Sequence, residues 1–161
     1  MHRAFIGLGA NLGDPAAQIR AVLQALRETP GLELLRQSSL YGTAPVDAPG
    51  QPDYVNAVAM IGTTLAAHDL LRELQQLELR FGRVRSVRNA ARTLDLDLLL
   101  YDEETLDLPD LRIPHPRMHQ RRFVLEPLAE IAPNLAIPGR GAAAQLLAGL
   151  PDQAVRRLGT G

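Results

Sequence analysis

The chain has 161 residues, of which 46% are apolar, and its 17 basic and 18 acidic residues leave a formal net charge of −1. This size fits one domain over residues 1–161 with a sizeable core, and the near-neutral charge argues against a dedicated polyanion binder. The absence of cysteine excludes disulfides and thiolate metal sites and fits a cytoplasmic setting, and the absence of lysine excludes a P-loop.

The chain begins with a predicted strand and a predicted amphipathic helix. Residues 3–9 are apolar and typical of a first strand. Asp14 followed by Pro15 is a typical helix start, because the acid can cap the helix and the proline fits its first position. Apolar residues then recur at helical spacing until the sequence TPG at 29–31 ends the helix.

Two strands and a second helix follow. Strands are predicted over 32–41 and 53–64, on either side of the proline- and glycine-rich loop 42–52. A helix is predicted over about 66–81, where leucines recur at helical spacing before a glycine.

The last third of the chain contains an acidic strand and further helices. A loop rich in arginine leads into a strand over 92–101, and residues 102–110 are expected to form an exposed turn. Helices are predicted over 121–133 and 142–150. The order βαββαβ predicts an α+β fold, a ferredoxin-like sandwich with a mostly antiparallel sheet and packed helices.

The strand RTLDLDLLLY carries two acids where a buried strand would be apolar. Residues two apart share one face of a strand, so Asp95 and Asp97 point the same way while Leu94, Leu96 and Leu98 take the other face. Solvated acids on an exposed face are one explanation, and pairing with some of the nine nearby arginines is another.

A polyphosphate substrate with Mg²⁺ would explain both the acids and the arginines. Carboxylates bind the hard cation, which usually takes one or two carboxylates together with substrate phosphates. Guanidinium groups bind phosphate oxygens through two parallel hydrogen bonds. These residue types therefore favour a phosphoryl-transfer enzyme.

An RNA-binding module is the alternative, because it shares the βαββαβ order. It would need aromatic side chains on its central strands. The chain has only six aromatic residues and no such pattern. We expect no nucleic-acid partner and no membrane association.

Four blocks of sequence resemble the 6-hydroxymethyl-7,8-dihydropterin pyrophosphokinase family of folate biosynthesis. They are IGLGANLGD, QPDYVNAV, RNAARTLDLDLLLYD and IPHPRMHQRRFVLEPLAEIAP, and they occur in order over about residues 4–138. The resemblance implies the ferredoxin-like fold and transfer of pyrophosphate from ATP to the pterin hydroxymethyl group, with release of AMP and two Mg²⁺ ions as cofactors.

The resemblance also implies the residues of each subsite. Both metal ions would be bound by Asp95 and Asp97, which are catalytic together with Arg83 and Arg92. The pterin subsite would comprise Thr43, Pro45, Val46, Tyr54, Asn56 and Phe123. The ATP subsite would comprise Gln75, Glu78, Arg85, Arg92, His115 and Arg121.

The chain also departs from the family pattern in places. It lacks the tryptophan that many members carry just before the arginine matched by Arg92, and Ala10 replaces the usual serine of the opening turn. Pro116 stands where some members have tyrosine. The partners implied are ATP and the pterin alcohol, and we expect a monomer.

Overall fold

The computed structural model describes residues 1–11, 13–43, 54–81, 94–151 and 155–160. Within them the chain forms one six-stranded sheet, two small two-stranded sheets and four α-helices. No helix among these residues has the length and apolar composition needed to cross a membrane.

The α-helices lie close to their predicted positions. They are α1 (Pro15–Glu28), α2 (Ala67–Arg80), α3 (Arg122–Ile131) and α4 (Ala143–Ala148). The carboxylate of Asp14 accepts a hydrogen bond from Ala17 N at 3.2 Å, as predicted for a residue that caps α1.

The main sheet is antiparallel throughout. Its strands are β1 (His2–Ala10), β2 (Leu32–Gln37), β3 (Ser39–Thr43), β4 (Tyr54–Thr63), β5 (Asp95–Tyr101) and β10 (Val155–Thr160). The order across the sheet is β10-β3-β4-β1-β5, and β2 pairs with the far end of β4. This confirms the predicted α+β fold of ferredoxin-like order.

Three details of the sheet differ from the prediction. The strand predicted over 32–41 is broken at Ser38, which lies between β2 and β3 and donates its hydroxyl to the Ser39 carbonyl. The predicted turn over 102–110 contains β6 (Leu106–Leu108), which pairs with β7 (Leu111–Ile113). Strand β10 was not predicted.

Two helices pack against each face of the sheet. Leu8 and Ala57 lie on the first face, in a core formed with α1 and α2. Phe5 and Val58 lie on the second face, in a separate core formed with α3 and α4. Val58 N donates to Ser38 Oγ and Ser38 N donates to Val58 O, both at 2.9 Å, so the residue at the break between β2 and β3 is bonded to β4.

The second small sheet forms a hairpin beyond α3. Its strands are β8 (Ala136–Ile137) and β9 (Gly141–Ala142). Ile137, at the turn end of β8, and Ala143, directly after β9, are both buried in the second core. The hairpin is therefore attached to the body of the protein at both of its ends.

Candidate active site on the second face of the sheet

Two glycines of the central strand β1 form the centre of the site. Gly9 pairs with Asn56 of β4 on one side and with Asp95 of β5 on the other. Side chains of directly paired residues project from the same face of a sheet. The side chains of Asn56 and Asp95 therefore rise on either side of a position that has no side chain.

The neighbouring row repeats the arrangement. Gly7 pairs with Val58 of β4 and with Asp97 of β5. We call Gly7 and Gly9 the glycine floor. Because neighbouring strands lie about 4.8 Å apart, the floor separates the backbones of Asn56 and Asp95 by about 9–10 Å.

The floor has limited room for larger residues. A Cβ atom on Gly9 would lie 2.9 Å from Asn56 Nδ2, and one on Gly7 would lie 3.4 Å from Leu99 Cδ2. Glycine at position 9 thus lets the Asn56 amide lie close to the backbone of β1. The Asn56 amide therefore lies against Gly9, between β4 and the strand that carries Asp95.

Three buried polar atoms near one end of the floor have no hydrogen-bond partner among the described residues. They are Oδ1 of Asn56, Oγ1 of Thr43 and Oδ1 of Asn11. Thr43 is paired with Tyr54, two residues before Asn56 on β4, and Asn11 directly follows β1. Buried polar atoms are nearly always hydrogen-bonded, so these atoms fit the polar edge of a ligand.

Asn11 was not among the residues predicted from the sequence. It is only 2% exposed, although it follows a strand in a stretch that reads as a turn. Turn asparagines are common for backbone reasons, and the sequence gives no sign that this one is buried.

Two aromatic residues predicted for the pterin subsite are accessible at least in part. Tyr54 is 39% exposed and lies on the same face of β4 as Asn56, since the two are two residues apart. Phe123 lies in the first turn of α3 and is partly buried against the second core. The Arg121 guanidinium carbon lies 5.5 Å from the centre of the Phe123 ring.

A row of hydrogen bonds fixes the strand beside Asn56. Tyr41 pairs with Asn56, and its hydroxyl donates to Glu130 of α3 at 2.6 Å. Glu130 also accepts from Ser39 N at 3.0 Å and from Ser39 Oγ at 2.9 Å. Burial and the hydrogen bond to Glu130 raise the pKa of Tyr41 to about 12, so its hydroxyl stays protonated and keeps this bond.

Strand β5 presents the two acids and is supported at its outer edge. Leu96 and Leu98 are buried in the first core, as predicted, so Asp95 and Asp97 project from the second face. The carboxylate of Glu78, 7% exposed at the end of α2, accepts a hydrogen bond from Leu96 N at 2.8 Å. Glu78 thereby satisfies a backbone donor midway between the two acids.

Two carboxylates on one face of a strand suit a hard divalent cation. Mg²⁺ is bound by one or two carboxylates, with water and substrate phosphates completing its shell. Among the residues that the structure describes, no group of three or more His, Cys, Asp or Glu side chains surrounds one point.

His115 is held beside the acidic strand by backbone hydrogen bonds. Its N–H donates to Leu99 O of β5 at 2.9 Å, and its ring Nδ1 accepts from Arg117 N at 3.2 Å. In the neutral ring, this leaves the proton on Nε2. His115 can therefore offer an N–H donor toward an anion.

The electrostatic surroundings keep this ring uncharged. Burial lowers the pKa of His115, and the positive charges of Arg121, Arg140 and Arg117 lower it further, while Asp97 opposes the shift. Three guanidinium groups and one carboxylate thus act on the same imidazole. The balance of charge is positive, as a phosphate-binding region requires.

The remaining predicted residues divide into two groups. Gln75 is exposed on α2, one turn before Glu78. Five others lie outside the described residues, namely Pro45, Val46, Arg83, Arg85 and Arg92.

Comparisons with known proteins identify the family of the chain. The model of a family described as 7,8-dihydro-6-hydroxymethylpterin-pyrophosphokinase matches residues 5–133. A 2-amino-4-hydroxy-6-hydroxymethyldihydropteridine pyrophosphokinase of Pseudomonas aeruginosa is 46% identical over 158 residues, which cover 98% of both chains. The Haemophilus influenzae protein of the same name is 44% identical and is covered over 99% of its length.

Solved structures support the fold. A crystal structure of HPPK-DHPS in complex with substrates has a TM-score of 0.73 at 12% identity, over 91% of this chain. Plasmodium falciparum HPPK-DHPS with pteroate also has a TM-score of 0.73, at 13% identity. The chain spans less than half of these longer proteins, 43% and 44% respectively.

The family model and the relatives show that the chain is a transferase that uses a nucleotide, and the acidic face bordered by arginines is consistent with this class. More particularly, the chain belongs to the 7,8-dihydro-6-hydroxymethylpterin-pyrophosphokinase family. It is an ATP-dependent pyrophosphokinase of folate biosynthesis, which passes pyrophosphate to the hydroxymethyl group of the dihydropterin. The comparisons give no support to the RNA-binding alternative.

Proposed function

We propose that the pyrophosphoryl transfer takes place above the glycine floor, with the pterin on the Asn56 side and the ATP phosphates on the Asp95 side. The observation that carries this proposal is the pairing of Gly9 with both residues, which places an amide and a carboxylate on the same face of the sheet, on either side of β1.

The pterin subsite that we propose combines polar and aromatic groups. Thr43 and Asn56 would bind the polar edge of the ring, and their unpartnered buried oxygens support this. Tyr54 and Phe123 would pack against its faces. Pro45 and Val46, which lie outside the described residues, belong to this proposal through the family resemblance alone.

The nucleotide subsite that we propose lies toward β5. Asp95 and Asp97 would bind two Mg²⁺ ions, whose positive charge, when bound, offsets the charge of the phosphate oxygens. The Nε2–H of His115 and the guanidinium of Arg121 would bind phosphate oxygens. Gln75, Glu78, Arg83, Arg85 and Arg92 are assigned here by resemblance.

The chemistry is an in-line substitution at the β-phosphorus of ATP. The pterin hydroxyl oxygen forms a bond to that phosphorus while the bond to the oxygen joining it to the α-phosphate breaks, so that AMP leaves and the hydroxyl proton is released. The protein contributes position and positive charge, which provide most of the catalysis in this type of transfer. The chain would act as a single-domain, cytoplasmic monomer without a nucleic-acid partner.

The products test the reaction. With ATP, Mg²⁺ and the pterin alcohol, we expect one AMP for each pterin diphosphate, measured by chromatography of the spent nucleotides. Formation of ADP in equal amount would refute the proposal, because an ordinary kinase moves only the γ-phosphate.

A pair of variants tests the position of the pterin. Asn56→Ala should raise the KM for the pterin and leave the KM for ATP near its original value. Asn134→Ala, at an exposed amide in the turn after α3, is the control and should change neither. Equal changes in both KM values for Asn56→Ala would contradict the division of the site.

A further inference from the structure

We infer that Arg140 is a positioning residue for His115, so that the hairpin of β8 and β9 takes part in ATP binding without touching the nucleotide. This inference rests on the proposed role of His115. The guanidinium Nη1 of Arg140 donates to the carbonyl oxygen of His115 at 2.7 Å, across 25 residues of chain.

The hairpin holds Arg140 in a fixed place. The sequence Ile137-Pro138-Gly139-Arg140 forms a tight turn in which Arg140 N donates to Ile137 O at 2.9 Å. Gly139 has a φ of +75°, close to the value that the third residue of a type II turn requires, and proline is favoured just before it. Since Ile137 is 1% exposed, the turn is anchored in the second core.

The hydrogen bond from Arg140 completes a set of three on one residue. The His115 N–H is bonded to Leu99 O, the ring Nδ1 to Arg117 N, and the carbonyl to Arg140. The first bond fixes the distance of His115 from strand β5, and the second fixes the orientation of its imidazole ring. The third, a charge-assisted bond in a partly buried setting, prevents the peptide after His115 from turning.

These three bonds affect ATP binding because the His115 ring must be correctly oriented to donate to a phosphate oxygen. Phosphate binding by one N–H depends on its direction, and misplacement by about 1 Å of a group that positions substrate can cost about 100-fold in rate. His115 lies in the segment between β7 and the short 3₁₀ helix Met118–Gln120. Arg140 is the residue through which the turn of the hairpin bonds to that segment.

The test compares two arginines that make the same kind of bond. Arg140→Met removes the guanidinium and keeps an unbranched stem. Arg36→Met is the matched control, because Arg36 Nη1 also donates to a backbone carbonyl, that of Ile131, at 2.9 Å, and it lies on β2 away from the acidic strand. Arg140→Lys keeps the positive charge and a donor.

Binding of Mg²⁺ with a non-hydrolysable ATP analogue is measured by calorimetry, and melting temperatures are recorded without ligand. We expect a three- to tenfold weaker Kd in Arg140→Met, most of the affinity restored in Arg140→Lys, and no change in Arg36→Met. The KM for the pterin should not move in any variant that is active.

An unchanged Kd in Arg140→Met would overturn the inference. So would equal losses in Arg140→Met and Arg36→Met, or an Arg140→Met protein that does not fold, since each would assign Arg140 to stability. The calorimetry does not depend on turnover, so wild-type enzyme that binds the analogue but releases ADP would refute the proposed function and leave this comparison intact.

Discussion

Replacing Gly9 by alanine is the sharpest test of the glycine floor. The added Cβ would lie 2.9 Å from Asn56 Nδ2, closer than such atoms approach in folded proteins. The Asn56 side chain must move, because the Cβ is fixed by the backbone of a strand that is paired on both sides. The amide then no longer presents its groups where the pterin edge would lie.

The size of the effect follows from the hydrogen bonds at risk. A net hydrogen bond is worth about 0.5–1.5 kcal/mol, and an amide can make two to a pterin edge, which gives about 1–3 kcal/mol. This corresponds to about a 5- to 150-fold weaker pterin Kd. Folding stability should change by less than about 1 kcal/mol, because the group that moves is the end of a side chain.

Calorimetry with the pterin and, separately, with Mg²⁺ and an ATP analogue measures both sides of the site. Gly62→Ala is a matched control, because its Cβ would lie equally close to a neighbour, 2.8 Å from Met1 Cε. Gly62 lies at the opposite end of β4 from Asn56, and the Met1 side chain is flexible and exposed. An unchanged pterin Kd in Gly9→Ala, or one that weakens as much in Gly62→Ala, would refute the reasoning.

Three further predictions concern the acids and the cores. Asp97→Asn should lower turnover by about 100-fold or more, the usual cost of losing one group that stabilises transition-state charge, and steady-state rates of AMP formation check this. Leu74→Ala should destabilise the protein by about 2–5 kcal/mol in urea unfolding, because Leu74 is fully buried in the first core. Glu130→Gln should reduce the loss of unfolding free energy that occurs as the pH falls. Burial raises the pKa of Glu130, but hydrogen bonds from Tyr41 and Ser39 outweigh it and lower the pKa below its ordinary 4.5, so this stability is complete above pH 4.5 and is lost as the pH falls. Unfolding followed from pH 3 to 7 should show a smaller loss below pH 4.5 in the variant, and curves of equal slope would contradict this.

The sequence predicted the elements whose formation depends on local pattern. Helix α1 begins where Asp14 and Pro15 indicate, and α2 matches its leucine spacing within one residue at each end. Strand β10 was missed, because VRRLGT has no alternating pattern and becomes a strand only through pairing with β3. Its formation depends on a partner more than 100 residues away, which local sequence cannot indicate.

The sequence predicted only those site residues whose side-chain type by itself indicates a function. The two acids were recognised because carboxylates in an apolar strand are unusual. Gly7 and Gly9 were not, since glycines in a strand commonly mark bulges or weak pairing, and their role depends on the strands on either side. Arg140 gave no signal, because its hydrogen bond to the backbone of His115 needs the fold to bring the two together.

The question raised by Asp95 and Asp97 has its answer in the strand beside them. The second face of β1 carries Phe5, which is buried in the second core, then Gly7, which lies against the side chain of Leu99, and Gly9, which lies against the Asn56 amide. The apolar contacts on this face therefore give way to polar ones between Gly7 and Gly9, and the acids project from the same face at that border. Because β1 is paired on both sides, the distance between Asn56 and Asp95 cannot change without breaking the sheet. A reaction that depends on holding two substrates in line gains from such a fixed spacing, and two strand glycines are enough to provide it.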